Sequence, residues 1–191
     1  MDNSIPYLPG LLMIAGNARN VGKTTLALAL IQHYSELYPV IGLKVSSIYP
    51  NDDIHHGIHE NEKPETFDIY QEFDRDGHKD TSKMLAAGAK KVFFVRSLDS
   101  HLKEAMTQFI ALLPKNCIVV CESRSLRKVL IPGLLVLIRK EYDGFTSKSI
   151  EELVPLADLQ IFSSHEKYSI ADAMNAISFE SGTWKTRLSS I

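Results

Sequence analysis

The segment "GNARNVGKTT", Gly16 to Thr25, constrains this chain more than any other, because it stands between the apolar run "LLMIA" and the apolar helical run "LALALIQHYSELY". A strand that runs into such a loop and then opens a helix can turn several backbone N–H groups inward around an anion, with the helix N-terminus behind them. Gly22, Lys23 and Thr24 meet the second half of the pattern G-x-x-x-x-G-K-[ST]. The first glycine is displaced: Asn17 occupies its place and Gly16 comes one residue earlier. Asparagine tolerates left-handed dihedrals better than most residues, so Asn17 is a survivable substitution for that glycine. Lys23 at a helix start, with no acid in the first turn, opposes the helix dipole and suits an anion. The reading is a phosphate site built from Gly16, Asn17, Asn20, Val21, Gly22, Lys23, Thr24 and Thr25. Lys23 would neutralise the outer phosphates and the Thr24 hydroxyl would meet Mg²⁺. The alternative is a strand-turn-helix corner that binds nothing.

Six short, nearly continuous apolar runs recur along the chain, at 11–16, 39–47, 90–97, 116–123, 133–140 and 157–164. Such runs suit strands covered on both faces. Helical stretches are predicted between them at 22–37, 81–88, 98–113, about 149–155 and 169–178, the first with Leu26, Leu30, Ile31, Tyr34 and Leu37 on one side. Strand then helix, repeated, gives an α/β fold with a mostly parallel sheet and helices on both faces. With the phosphate loop after the first strand, this is the architecture of a P-loop NTPase. Residues 1–191 read as one domain. The polar stretch 48–79 is too long for a plain connection and reads as an insertion or flap, with a short hairpin around "TFDIYQEFD". The terminal "FESGTWKTRLSSI" reads as an edge strand or tail.

A Mg²⁺ at Thr24 calls for an acid at the end of a neighbouring strand. Glu122 directly follows "CIVVC" and is the candidate metal ligand and, with Lys23, the candidate catalytic residue. Asp80, before "TSKMLAAGA", reads either as a helix cap or, like Asp76, as a group reaching the metal or its water. Lys44 lies within the apolar strand "IGLKVSS", where a lysine is costly unless it reaches an anion or carboxylate at the strand end. His55, His56 and His59 match no structural zinc spacing and read as a solvated loop. Cys117 and Cys121 read as two buried, reduced thiols on one strand face. A clean N-K-x-D is absent. "RKEYD" at 139–143 is a distant echo of it, and "FSSHEKYS" ends the last strand, so the base stays open between guanine and adenine.

The net charge of -2 supplies no electrostatic reason to expect nucleic acid or an anionic membrane as partner. No apolar stretch reaches the roughly 20 residues that span a bilayer. "MDNSIPYLPG" lacks the basic and apolar regions of a secretory signal, so the expected location is the cytoplasm.

The stretches "NVGKTTLALALI", "GLKVSS", "GHKDTSKMLAAGAKKV" and "IVVCES", in that order over about residues 10–140, resemble the MobB-type family of molybdopterin-guanine dinucleotide biosynthesis proteins. The phosphate loop is general, and "KDTSKMLAAGA" is the specific part. The resemblance implies that Lys23 and Thr24 contact the phosphates and Mg²⁺ of GTP, with Lys44, Asp80 and Glu122 lining the nucleotide site. It implies a weak Mg²⁺-dependent GTPase or GTP-binding adaptor, a homodimer that assists a molybdenum cofactor biosynthesis enzyme in attaching a guanine nucleotide. The chain reads Glu122-Ser123-Arg124 where that family has Glu-Gly. "GNARNVGKTT" and the lysine of "GLKVSS" also resemble dethiobiotin synthetase, which would imply an ATP-dependent enzyme. A third reading is a non-enzymatic, nucleotide-regulated adaptor. No catalytic glutamine stands beside Glu122; Arg19 or Arg124 could supply charge across a dimer interface.

Overall fold

A computed structural model describes residues 4–48, 65–140, 150–163 and 169–187. Seven strands form one sheet in the order β3-β4-β2-β5-β1-β6-β7. They are β1 (Tyr7–Gly16), β2 (Val40–Ile48), β3 (Phe67–Glu72), β4 (Lys91–Leu98), β5 (Ile118–Glu122), β6 (Ile131–Lys140) and β7 (Leu159–Ser163). All neighbours run parallel except β3, which pairs antiparallel with β4. The α-helices among the described residues are α1 (Lys23–Tyr34), α2 (Asp80–Ala86), α3 (Leu102–Ala111) and α4 (Ile170–Asn175). Strands β8 (Ile177–Glu180) and β9 (Thr183–Thr186) form a separate antiparallel pair. The expected α/β class and the mostly parallel sheet are therefore present.

Side-chain alternation splits the apolar strands into two cores. Leu12, Ile14, Val120 and Val136 pack with Leu26, Leu30 and Ile31 of α1, Met84 of α2 and Trp184 of β9. Leu11, Met13, Cys121 and Leu135 pack on the other face with Leu102, Met106 and Phe109 of α3. Helices thus cover both faces, as buried parallel strands require. Among the described residues no helix is long and apolar enough to cross a membrane.

Several expectations are corrected. Residues 67–72 of the presumed flap form one strand of the central sheet, not a hairpin, because Phe67 and Ile69 reach the α3 core. The helix expected at 149–155 is, in its described part, a turn leading to a 3₁₀ turn at Val154–Leu156, where Pro155 removes a backbone donor. The helix expected at 169–178 stops at Asn175, and the C-terminal segment folds as the β8–β9 pair against α1 instead of an edge strand. Leu37 lies beyond the end of α1 and is exposed. Cys117 precedes β5 and is only half-buried, while Cys121 is fully buried; both are free thiols. Much of the 48–79 region, with His55, His56 and His59, and most of "FSSHEKYS" and "RKEYD" lie outside the described residues.

Candidate functional site

The candidate site lies at the carboxyl ends of β1, β5 and β2, the end at which open α/β sheets take ligands. Backbone register places its row of residues: Ile14 of β1 pairs with Glu122 of β5, which pairs in turn with Lys44 of β2. Leu43 and Val45 point into the α3 core, so alternation turns Lys44 toward the α1 and α2 side. The same parity, with Cys121 in the α3 core and Val120 in the other, turns Glu122 that way.

After Gly16 the chain makes a loop and enters α1 through Gly22, whose φ of 99° needs a residue without a side chain. No acid occupies the first turn of α1, and its N-cap, Gly22, has no side chain with which to cap it. Lys23 lies over the loop and its Nζ donates to the Ala18 carbonyl at 2.7 Å. The left-handed non-glycine position in the loop is Asn20, with φ 59°. Asn17 has no positive φ, so its tolerance of left-handed dihedrals is not drawn on, and its side chain makes the contacts. Its Nδ2 donates to the Lys140 carbonyl and its Oδ1 accepts from the Lys140 N–H, both at 2.9 Å. The displaced glycine has its own reason, since a Cβ on Gly16 would meet the Ile138 carbonyl oxygen at 2.8 Å. Val21 is buried in the α1 core, and Thr25 faces outward, exposed.

Thr24 Oγ1 donates to Glu122 Oε1 at 2.8 Å. Glu122 is buried, and burial raises its carboxyl above the ordinary carboxylate range. The Thr24 hydrogen bond and the charges of Lys44 and Lys23 work against that rise, and Asp80 adds to it. Lys44 Nζ is ion-paired with Asp80 Oδ2. The expected helix-cap role of Asp80 does not hold: Lys79 is the N-cap of α2 and Asp80 its first residue, turned to Lys44. The backbone N–H of Asp76, an exposed residue, donates to Asp74 Oδ1.

Glu72, which sequence reasoning missed, holds the start of α2 in place. Its Oε2 accepts from Thr81 Oγ1 at 2.7 Å and Ser82 Oγ at 3.3 Å, and its Oε1 accepts from the N–H groups of Phe73 and Asp74. Burial pushes its carboxyl up, but these four hydrogen bonds outweigh it and hold the group below its ordinary value.

Thr24, Glu122 and Asp80 offer only oxygen donors, the set a hard cation such as Mg²⁺ takes beside phosphates and water. Among the described residues no three His, Cys, Asp or Glu side chains gather into a metal cage. A cavity of about 460 Å³ opens at the opposite, amino ends of the strands, between Leu8, Tyr38, Cys117 and Phe179. Its lining has no charged side chain and does not suit a phosphate. The chain matches no protein-family model, no curated protein and no solved structure.

Proposed function

We propose that this protein binds a Mg²⁺–nucleoside triphosphate at the loop between β1 and α1, in the manner of a P-loop NTPase. The observation that carries this reading is the 2.8 Å contact between the Thr24 hydroxyl and the buried Glu122 carboxylate. It sits one residue past a lysine at a helix start that has a glycine N-cap and no acid in its first turn. Loop N–H groups would cradle the phosphates, Lys23 would leave the Ala18 carbonyl for the outer phosphate oxygens, and Thr24 with Glu122 would hold the metal. Bound Mg²⁺ supplies charge neutralisation on the β- and γ-phosphates. Lys44, paired with Asp80, stands one strand beyond Glu122, within the same row.

Slow hydrolysis is the reaction this set supports. An in-line water forms the new P–O bond, the bond to the β–γ bridging oxygen breaks, and the water's proton passes to the released phosphate. Lys23 stabilises charge on the departing oxygens. We further assign guanine as the base and an accessory role in molybdenum cofactor maturation, by a cytoplasmic homodimer, on the sequence resemblance alone. Titration of the purified chain with GTP and with ATP, each with Mg²⁺, tests the core reading by calorimetry. Micromolar binding that Lys23→Ala abolishes supports it, and no heat with either nucleotide overturns it. Preference for GTP supports the molybdenum cofactor assignment.

A second reading has one observation in its favour. Gly16 fits the early glycine of dethiobiotin synthetase, and its missing Cβ is what lets β1 meet Ile138 so closely. Preference for ATP, with turnover at ordinary enzyme rates, would select it.

A further inference from the structure

Asn17 stands where the phosphate-loop pattern has its first glycine, and it is 8% exposed. Its carboxamide makes two hydrogen bonds, both to one residue, the peptide N–H and C=O of Lys140 at the end of β6. The two contacts also fix which way the amide is turned, because the opposite orientation would set N–H against N–H and oxygen against oxygen. The main-chain ladder between β1 and β6 ends at the pair Gly16 and Ile138. The side chain of Asn17 therefore takes over where the backbone leaves the sheet, and adds one more rung.

We infer that Asn17 is the positioning residue of the phosphate loop: its carboxamide, clamped on Lys140, fixes the first turn of the loop in place of the glycine. This deepens the triphosphate reading and rests on it. Three observations make the clamp necessary. Gly16 must approach Ile138 within the space of a missing Cβ, so the chain leaves β1 tight against β6. Two of the later loop positions, Asn20 and Gly22, have positive φ and turn the chain sharply. Asn17 itself has no positive φ, so a glycine there would add freedom without relieving any strain. Pre-set loops hold anions better because less order is lost on binding. Two amide bonds to a strand end supply that order here.

The consequence runs against the sequence pattern. Asn17→Gly, which restores the standard motif, weakens binding. The test titrates Mg-GTP and Mg-ATP against the full chain, Asn17→Gly and Asn17→Asp, and follows exchange of the Lys140 amide hydrogen in each. Asn17→Ser, which keeps one acceptor, covers the case in which a harsher variant fails to fold. We expect Asn17→Gly to bind whichever nucleotide the parent prefers about 10-fold more weakly, as loss of two hydrogen bonds allows. The Lys140 amide loses protection. Asn17→Asp, which cannot donate to the Lys140 carbonyl and brings charge beside the phosphates, falls further, and Asn17→Ser lies between parent and Gly. A merely structural clamp would lower Lys140 protection and leave affinity unchanged, which overturns the inference while leaving the triphosphate reading intact. Equal or tighter binding by Asn17→Gly overturns it too. A parent that binds neither nucleotide ends both.

Discussion

Thr24 Oγ1 and Glu122 Oε1 share a hydrogen bond of 2.8 Å at the junction of α1 with β5, inside a site where the carboxyl is buried and raised above its ordinary value. A carboxyl raised by burial is costlier to ionise in the folded than in the unfolded chain. Its contribution to stability is therefore favourable below the unfolded value and is lost as pH rises through it toward the folded one. Glu122→Gln removes that cost while its amide oxygen still accepts from Thr24. At neutral pH the variant should melt at a higher temperature than the parent, with the difference closing as pH falls below about 4.5, the ordinary value. The same variant should lose Mg²⁺-dependent nucleotide binding. Thermal melts across pH, paired with calorimetry, read both arms; a lower melting temperature at pH 7 contradicts the sign.

Glu72 has the opposite sign. Its carboxyl is held below its ordinary value because the bonds from Thr81, Ser82, Phe73 and Asp74 outweigh desolvation. Its stabilisation is present above the unfolded value, about 4.5, and is lost as pH falls through the folded value. Glu72→Ala should cost about 1–3 kcal/mol at pH 7, since it orphans the hydroxyls at the start of α2. Urea unfolding at pH 7 and pH 3 checks this, and an equal loss at both pH values would show that the charge is irrelevant.

The six strands read from sequence carry nearly continuous apolar runs, five of them because both faces are buried, while β7 at the sheet edge buries only Ile161. β3 was not legible in that way: "FDIYQE" alternates, lies in a polar region, and pairs antiparallel at the sheet edge. β8 was hidden because Ile170, Ala173, Met174 and Ile177 continue a helical spacing, whereas β9 lies in the segment read as an edge strand or tail and its pairing with β8 was missed. The cue that separates them is Ser181-Gly182, where φ values of 52° and 79° meet the demand of a tight hairpin for two left-handed residues. At the site, Lys23, Thr24, Lys44, Asp80 and Glu122 were each legible from strand-end or helix-start placement. The pairing of Lys44 with Asp80 was not, since it depends on how α2 lies across β2. Asn17 drew notice as a missing glycine, yet the use of its amide depends on a contact across 123 residues, which no local pattern carries.

Lys44 and Asp80 form an ion pair whose side chains are 29% and 32% exposed, so solvent weakens it. A double-mutant cycle with Lys44→Met and Asp80→Asn should give a coupling of about 0.5–1 kcal/mol. Asp80→Asn also removes a negative charge beside the proposed phosphate site. Without Mg²⁺ it should bind nucleoside triphosphate roughly 5-fold more tightly than the parent, with the gain shrinking at high salt. With Mg²⁺ the gain should vanish if Asp80 supports the metal. Tighter binding that survives in both Mg²⁺ and high salt would exclude that role.

Trp184 sits at the far end of the sheet from the proposed phosphate loop and should separate stability from binding. It is fully buried, its ring stands 4.7 Å from that of Tyr34 on α1, and its Nε1–H donates to the Gly10 carbonyl at 2.9 Å. That bond ties the β8–β9 pair to the first half of β1, and the rings of Tyr34 and Phe179 fill the space around it. Trp184→Ala should cost about 3–5 kcal/mol by opening a cavity. Trp184→Phe keeps most of the volume and should cost about 1–3 kcal/mol, chiefly the lost hydrogen bond. Urea midpoints measure both. The loop that would hold phosphate belongs to the opposite, carboxyl ends of the strands, so nucleotide affinity of the folded Phe variant should stay within about 2-fold of the parent, well under the tenfold that 1.4 kcal/mol represents. A tenfold loss in that variant, with cooperative unfolding retained, would mean that the two ends of the sheet are coupled through α1.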